Sequence, residues 1–414
     1  MFFGQEQKSL EQLVALSLQE NFDIQLARLN QESAAAQNNL GMAGFLPKIG
    51  LALGDRWTNS QRNNPTSFIN GKIISSNLNP TATIDQTIFN GFSAHISKDN
   101  FDRLQELSME NADLVILNNI KAVYLNYYQI QAQNQLVANQ LEILSLTKNL
   151  YNYNKQKWEL GLITTQELNT YYGFVLEDSL SLLGLQSNKT KLEGELAKLC
   201  NVSAISTLAV DLPFLTQGLV LDTLKNQLAQ NPSLRSLYVN ERIKENELKL
   251  SQAALYPQLN VNGGYNYSRS NIQIADRDPV IGLTRDFYVG FSLNYNLFNG
   301  FKTKTNIDLS KINLEVQALK TEQLEQKLTT DLSVYFVNYQ QYLAQYSLSE
   351  KLLEVTQSTL DYWQAKQKAG LITSIELRNY QKNHLLNKNN EVNQWLKAYQ
   401  TSLEIQSLTN QIVY

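Results

Sequence analysis

One cysteine in 414 residues, Cys200, excludes an internal disulfide and any cysteine-rich metal site. It lies far from the N-terminus, so it is not the acylated first residue of a lipoprotein; a small buried side chain is its expected role. Histidine is nearly as scarce. His95 and His384 lie far apart in sequence, with no ligand cluster near either, and are expected to pack or face solvent rather than bind metal. With so few His, Met and Cys, soft metals have little to bind. A surplus of one charge is also missing. Lys and Arg number 35 against 38 Asp and Glu, the net charge is −3 and the sequence pI is about 5.7. No basic excess exists to neutralise phosphates, which argues against nucleic acid as a partner. Charged residues make up only 18%, and the abundant Asn, Gln, Ser and Tyr suit wet, uncharged walls. No apolar run approaches the ~18 residues of a membrane helix. A barrel strand needs only ~9–11 residues of alternating pattern, so a membrane is not thereby excluded. Met1-Phe2-Phe3-Gly4 could be the stump of a removed signal peptide, but no charged n-region or full apolar core is present, and the chain reads as a mature form. Catalytic constellations are missing too. The carboxylates lack a histidine or nucleophile neighbour and no phosphate-binding glycine loop occurs, so neither an enzyme nor a cofactor is expected.

What is present is a repetition. Ile88-Phe89-Asn90-Gly91-Phe92 returns as Leu297-Phe298-Asn299-Gly300-Phe301, and Gly161-Leu162-Ile163-Thr164 returns as Gly370-Leu371-Ile372-Thr373. Both pairs are offset by 209 residues (297 − 88 and 370 − 161), which argues for a tandem duplication of a complete structural unit. The expected halves are 1–210 and 211–414, joined by a linker at 201–219 that contains Pro213 and Gly218.

Each half begins with a helical segment, over 9–44 and 220–255. Ser9 can cap the first, and Leu10, Leu13, Val14, Leu16 and Leu18 supply its apolar stripe. Pro47 and Pro257 end these segments. The period then changes from helical to two. Leu259, Val261, Gly263, Tyr265 and Tyr267 alternate with Asn260, Asn262, Gly264 and Asn266; Phe287, Val289, Phe291, Leu293, Tyr295 and Leu297 alternate with smaller or polar residues. The first half is noisier: Ile49, Leu51, Leu53 and Trp57 share a face that Asp55 interrupts, and Leu78, Ala82, Ile84 and Ile88 form the partner strand. β-hairpins are expected over 48–90 and 258–298, with strands about ten residues long and exposed loops at 61–77 and 270–286, where Asn63-Asn64-Pro65, Asn70-Gly71 and Arg277-Asp278-Pro279 fall. Alternation fits an apolar-out membrane barrel and a soluble antiparallel sheet with one wet face equally well.

Two proline-free segments follow, 92–160 and 301–369. At 1.5 Å per residue, nearly 70 residues span on the order of 100 Å, more than a compact domain needs. Ile143, Leu146, Leu150, Tyr153 and Leu160, with Lys157 in the series, have heptad spacing. Leu352, Val355, Thr359, Tyr362 and Ala369, with Lys366, repeat the phase, so coiled-coil packing is expected. Gly161 and Gly370 suit left-handed C-caps. Thr164 and Thr373, each followed three residues later by Glu167 and Glu376, form capping-box patterns that start return helices over 165–200 and 374–412. The Tyr-rich 124–128 and 335–346 stretches read as helix interfaces. Phe89, Phe92, Phe298 and Phe301, where strands meet helices, fit interfacial anchors or junction packing.

In this order the landmarks resemble the TolC-like outer membrane factor (outer membrane efflux protein) family over essentially the whole chain. The parts that carry the resemblance are the helix from Ser9 to Asn21 and its copy from Leu221 to Pro232, the Leu-Pro-Lys and Tyr-Pro-Gln strand starts, the paired Phe-Asn-Gly-Phe segments and the paired Gly-Leu-Ile-Thr turns. The resemblance implies an α+β membrane protein and a homotrimer, with four strands per protomer closing one 12-stranded β-barrel in outer membrane lipid. An open sheet edge does not survive there. It further implies a long periplasmic α-helical coiled-coil barrel, an equatorial belt from the linker and terminal helices, and a passive exit duct. The implied partners are a periplasmic adaptor (membrane fusion) protein and an inner-membrane RND, ABC or MFS transporter, in a Gram-negative cell.

The resemblance also implies a gate. The family's acidic residues one and two turns after the second tip match Glu376 and Asn379, with Glu167 and Thr170 as first-half counterparts. Three copies of Glu376 around an axis would make an acidic ring that favours cations, and crowded carboxylates would raise one another's pKa. Asparagine at 379 puts a double acidic ring in doubt. For Glu167 and Glu376 the plainer role is helix capping. Gly161, Leu162, Ile163, Thr164, Gly370, Leu371, Ile372 and Thr373 match the adaptor-docking tip, unless their apolar side chains simply pack across the turn. A type I protein-secretion channel or a heavy-metal efflux duct, the latter disfavoured by the few His, Met and Cys, and, in a different class, a soluble coiled-coil scaffold or adhesin are the competing readings; the scaffold leaves the apolar face of 287–297 unexplained.

Overall fold

The computed structural model describes residues 9–64, 66, 71–205, 215, 218–274 and 277–412. Met1–Gly4, Pro65, Asn70 and most of the 201–219 linker, Pro213 included, lie outside the described residues. In chain order the elements are α1 (Leu10–Glu20), α2 (Phe22–Gln37), β1 (Lys48–Arg62), β2 (Gly71–Asn90), α3 (Ser93–Glu159), α4 (Thr165–Leu199), α5 (Leu221–Gln227), a 3₁₀ turn (Leu228–Gln230), α6 (Pro232–Ala253), β3 (Gln258–Ile274), β4 (Val280–Asn294), α7 (Lys302–Lys368) and α8 (Ser374–Leu408). Both long helices have 67 residues and both return helices 35, and all four pairs of boundaries differ by 209 (302 − 93, 368 − 159, 374 − 165, 408 − 199).

The chain forms two compact units, each built from both halves. One comprises Met1–Leu29, Met109–Ser236 and Thr321–Tyr414; the other comprises Asn30–Ser108 and Leu237–Lys320. The first unit is helical and has two apolar clusters. Leu13, Ile120, Val123, Leu196 and Cys200 anchor one, and Leu224, Leu332, Tyr339, Ala398 and Ile405 the other. Cys200 is fully buried, its thiol donating to the Leu13 carbonyl at 3.6 Å. The tyrosine-rich stretches do make helix interfaces: Tyr128 touches the rings of Trp395 and Tyr399, and Tyr339 is buried.

The helical segment expected over 9–44 is in fact two helices, broken at Asn21 and ending at Gln37; its copy breaks at Asn231. The reason is side-chain competition with the backbone. The Asn21 amide oxygen accepts from the N–H groups of Asp23 (2.9 Å) and Ile24 (3.3 Å), while its nitrogen donates to the Leu199 carbonyl at 2.9 Å. Asn231 does the same with Ser233, Leu234 and the Leu408 carbonyl. Each buried asparagine thus caps one helix and satisfies the C-terminal end of another. Alanine at either site is expected to lower stability, by about 1–2 kcal/mol for the lost cap. Asn231→Ala should cost more, because the Ser17 hydroxyl, 2.6 Å from Asn119 Oδ1 and 2.8 Å from the Leu199 carbonyl, can turn its single proton to Leu199 when Asn21 is gone. Thermal unfolding followed by far-UV circular dichroism checks the order; an equal loss at both sites would contradict it.

In the second unit β1–β4 form one antiparallel sheet in chain order. Its register puts Ile49, Ile84, Gly263 and Val289 in one row and Leu51, Ala82, Tyr265 and Phe287 in the next, all on one apolar face. Gly50, Thr83, Gly264 and Tyr288 lie on the other. The strands are longer than expected, 15 to 20 residues, and the exposed loops expected over 61–77 and 270–286 are largely strand. Polar residues there pair across the ladder; the hydroxyls of Thr58 and Ser75 lie 2.5 Å apart. His95 packs edge-on against Phe45, with centroids 4.8 Å apart. At the strand-to-helix junction Phe89 meets Phe92 and Tyr256 edge-on, while Phe92, Phe298 and Phe301 are mostly exposed.

Candidate functional site

The two turns that end the long helices are built alike. Gly161 and Gly370 are left-handed, with φ of 72° and 73°. Behind them Leu162 N–H donates to the Lys157 carbonyl and Gly161 N–H to that of Trp158; Leu371 and Gly370 do the same with Lys366 and Gln367. This Schellman arrangement uses up the carbonyls of the last helical turn. Three residues on, Thr164 and Thr373 start the return helices as full capping boxes. The Glu167 carboxylate accepts from the Thr164 N–H (2.7 Å) and hydroxyl (2.9 Å), and Glu376 has the same bonds from Thr373. These bonds hold both carboxyls below the usual glutamate range. A depressed carboxylate leaves the cap intact above the ordinary range and weakens it only as the pH falls through the lowered pKa.

The apolar turn residues divide in role. Ile163 and Ile372 are half-buried, whereas Leu162 and Leu371 are 68% and 64% exposed. Glu167, Thr170, Glu376 and Asn379 are all exposed; the Thr170 hydroxyl donates to the Gln166 carbonyl of its own helix. Among the described residues, no hydrogen bond or ion pair joins one turn to the other.

Behind the tips lies a feature that apolar periodicity does not reveal. Gln133, Gln140, Thr147 and Asn154 are buried at seven-residue intervals along α3. Gln133 and Gln140 donate to the Leu185 and Asp178 carbonyls of α4, at 2.8 and 3.0 Å. At Thr147 the seam receives a charge from α8. Arg378 donates to the Thr147 hydroxyl (2.5 Å) and to Asp178 Oδ2 (2.9 Å), and its guanidinium lies 4.3 Å from the centre of the Phe174 ring. The Thr147 hydroxyl itself donates to Asp178 Oδ2 at 2.7 Å. One buried ion pair thus ties α3, α4 and α8 together. At the position 209 residues after Thr147, Thr356 instead meets the ring Nδ1 of buried His384 at 3.3 Å. Burial, with Lys388 nearby, lowers the His384 pKa.

The heptad series expected to form the seam does so only in part. Ile143 is buried and Leu146 and Leu150 are half-buried, but Tyr153, Leu160, Leu352, Val355, Thr359, Tyr362 and Ala369 are exposed in the protomer. α3 therefore carries two registers: a polar one facing α4 and an apolar-aromatic one left open toward the tip. Among the described residues no group of three or more His, Cys, Asp or Glu could hold a metal, and no helix is long and apolar enough to cross a membrane.

These elements are a four-stranded antiparallel sheet with one apolar face and two 67-residue helices, each followed by a 35-residue return helix. The family model for outer membrane efflux proteins matches twice, over residues 13–199 and 223–411, and the chain belongs to that family. Membership of that family places it in the outer membrane. No curated protein matches it in sequence. Similar solved folds include the CmeC outer membrane channel of Campylobacter jejuni, at 14% identity and a TM-score of 0.83 over 98% of this chain and 87% of that one. The MtrE channel of Neisseria gonorrhoeae, in its open state, is 15% identical with a TM-score of 0.76 over 97% and 89%. The outer membrane protein VceC of Vibrio cholerae is 13% identical with a TM-score of 0.77 over 96% and 94%.

Proposed function

We propose that three copies of this chain close a 12-stranded barrel and form the outer membrane exit duct of a tripartite efflux pump. The carrying observation is the four-stranded sheet. It has an apolar face, and among the described residues its outer strands β1 and β4 pair on one side only. Unpaired strand edges cannot face lipid, so further copies must supply the missing partners. The protomer exposes 25732 Å², against roughly 16,000 Å² for a compact monomer of 47.1 kDa. That excess, and the open stripe through Leu352, Val355 and Tyr362, support burial between copies. The common 209-residue offset supports an origin by duplication, with repeats over 1–210 and 211–414.

In this reading substrates pass from an inner-membrane RND, ABC or MFS transporter, through a periplasmic adaptor, into the duct. Exposed Leu162 and Leu371 present the apolar contacts for the adaptor, on turns held rigid by their caps. Glu376, with Asn379 one turn on, lines the gate, and Glu167 with Thr170 flanks it. The Thr373 bonds favour an ionised Glu376, and repulsion among three copies opposes this. Single-channel recording in planar bilayers tests the assignment. Wild type is expected to prefer cations near neutral pH, and Glu376→Ala to lose most of that preference without losing channels. Channels with unchanged selectivity would remove Glu376 from the gate; a monomer that inserts no channels and stays soluble without detergent would overturn the duct.

A further inference from the structure

The apolar face of the sheet carries a groove. Ala82 and Pro80 of β2 form its floor, with Leu51 and Leu53 of β1 on one side and Tyr265 and Tyr267 of β3 on the other, and it is open along its length, with a volume of about 390 Å³. The groove exists because small side chains stand between two rows of large ones. At its end the face turns basic. Arg285 pairs directly with Tyr267, and its guanidinium lies 6.0 Å from the centre of that ring. Arg269, two residues further along β3, is Arg285's diagonal neighbour. Diagonal side chains start roughly 7–8 Å apart, close enough for two long arginines to converge on one anion. Both are exposed, and neither has an ion pair among the described residues. The register puts only one strand acid on this face, Asp55, across Leu78 from Arg269; Asp85 and Asp286 belong to the opposite face.

Two like charges side by side repel, and an arginine on a lipid-facing barrel surface is costly unless it lies near the interface or meets an anion. One end of each strand joins the helices, which extend into the periplasm in this family. The arginine rows lie toward the other end, nearer the 62–71 and 274–280 connections and hence the outer leaflet. We propose that this face binds a phosphorylated glycolipid of the outer leaflet, one acyl chain in the groove and a phosphate held between Arg269 and Arg285. The proposal rests on the reading that the apolar face meets lipid. Guanidinium forks suit phosphate oxygens, and the neighbouring tyrosines suit the boundary between acyl chain and headgroup.

The full chain, purified in detergent and delipidated, would be titrated with lipid A, dephosphorylated lipid A and phosphatidylglycerol, and bound lipid counted by native mass spectrometry. Lipid A is expected to bind wild type at least roughly tenfold more tightly than the double variant Arg269→Gln, Arg285→Gln, the loss expected for charged hydrogen bonds. Removing its phosphates should give the same loss. Equal lipid A binding by the variant, or phosphatidylglycerol binding as tight as lipid A, would overturn the proposal while a detergent-dependent, heat-resistant trimer keeps the duct. A chain that stays soluble without detergent would overturn both.

Discussion

Arg378→Ala is expected to destabilise the helical unit by roughly 3–5 kcal/mol, the cost of breaking a buried ion pair from one side. The alanine leaves the Asp178 carboxylate in the seam with the Thr147 hydroxyl but without its cation, and strips the Phe174 ring of its guanidinium. Arg378→Lys should recover only part of the loss, because an ammonium cannot fork between Thr147 and Asp178 while stacking on an aromatic ring. The informative comparison is the double variant Arg378→Met, Asp178→Leu. Replacing both charges by apolar groups of similar volume removes the uncompensated ion and is expected to return most of the stability. Urea unfolding followed at 222 nm, in one detergent for all variants, gives the cycle. A single Arg378→Ala effect within about 0.5 kcal/mol would put the residue among ordinary surface positions and refute the buried-pair account.

Gly91→Ala is the second large effect, and its counterpart Gly300→Ala is its control. Both glycines are left-handed, with φ of 66° and 65°, and both precede a phenylalanine at φ 66°. Their surroundings differ. A Cβ at Gly91 would sit 2.5 Å from the Ala253 carbonyl oxygen and 3.0 Å from Tyr256 Cβ, whereas one at Gly300 meets nothing within 4 Å. Gly300→Ala should therefore cost only the left-handed conformation, about 1–2 kcal/mol. Gly91→Ala adds displacement of a backbone carbonyl, for a total on the order of 3 kcal/mol or more. The yield of folded protein and the thermal midpoint of each variant read the difference. Equal midpoints would mean that α6 moves aside freely.

The tips were legible in the sequence because their code is local. Gly161 followed by Thr164 and Glu167 specifies a helix stop, a cap and a reciprocal bond within seven residues, and the same holds from Gly370 to Glu376. The long helices were legible for a related reason, since nothing between 92 and 160 can end one. Strand ends were not. Residues 71–77 and 270–274 look like loop because they border the turn signals Asn70-Gly71 and Arg277-Asp278-Pro279, yet ladder hydrogen bonding to neighbours far along the chain keeps them extended. The breaks at Asn21 and Asn231 were hidden because the carbonyls that fix them, Leu199 and Leu408, lie 178 and 177 residues away. Arg378 was the least legible of all. Thr147 and Asp178 stand 231 and 200 residues from it, and a search for apolar heptads passes over a seam whose repeat is Gln, Gln, Thr, Asn.

That seam sets how the helices respond to temperature. Exposing apolar surface on unfolding raises the heat capacity, while exposing polar surface lowers it. Each amide and hydroxyl buried at Gln133, Gln140, Thr147 and Asn154 therefore subtracts from the heat-capacity change that a hydrocarbon seam would give. A smaller change flattens the dome of stability against temperature. The firmness of the α3–α4 pair is therefore expected to vary less with temperature than that of an all-hydrocarbon seam of the same shape.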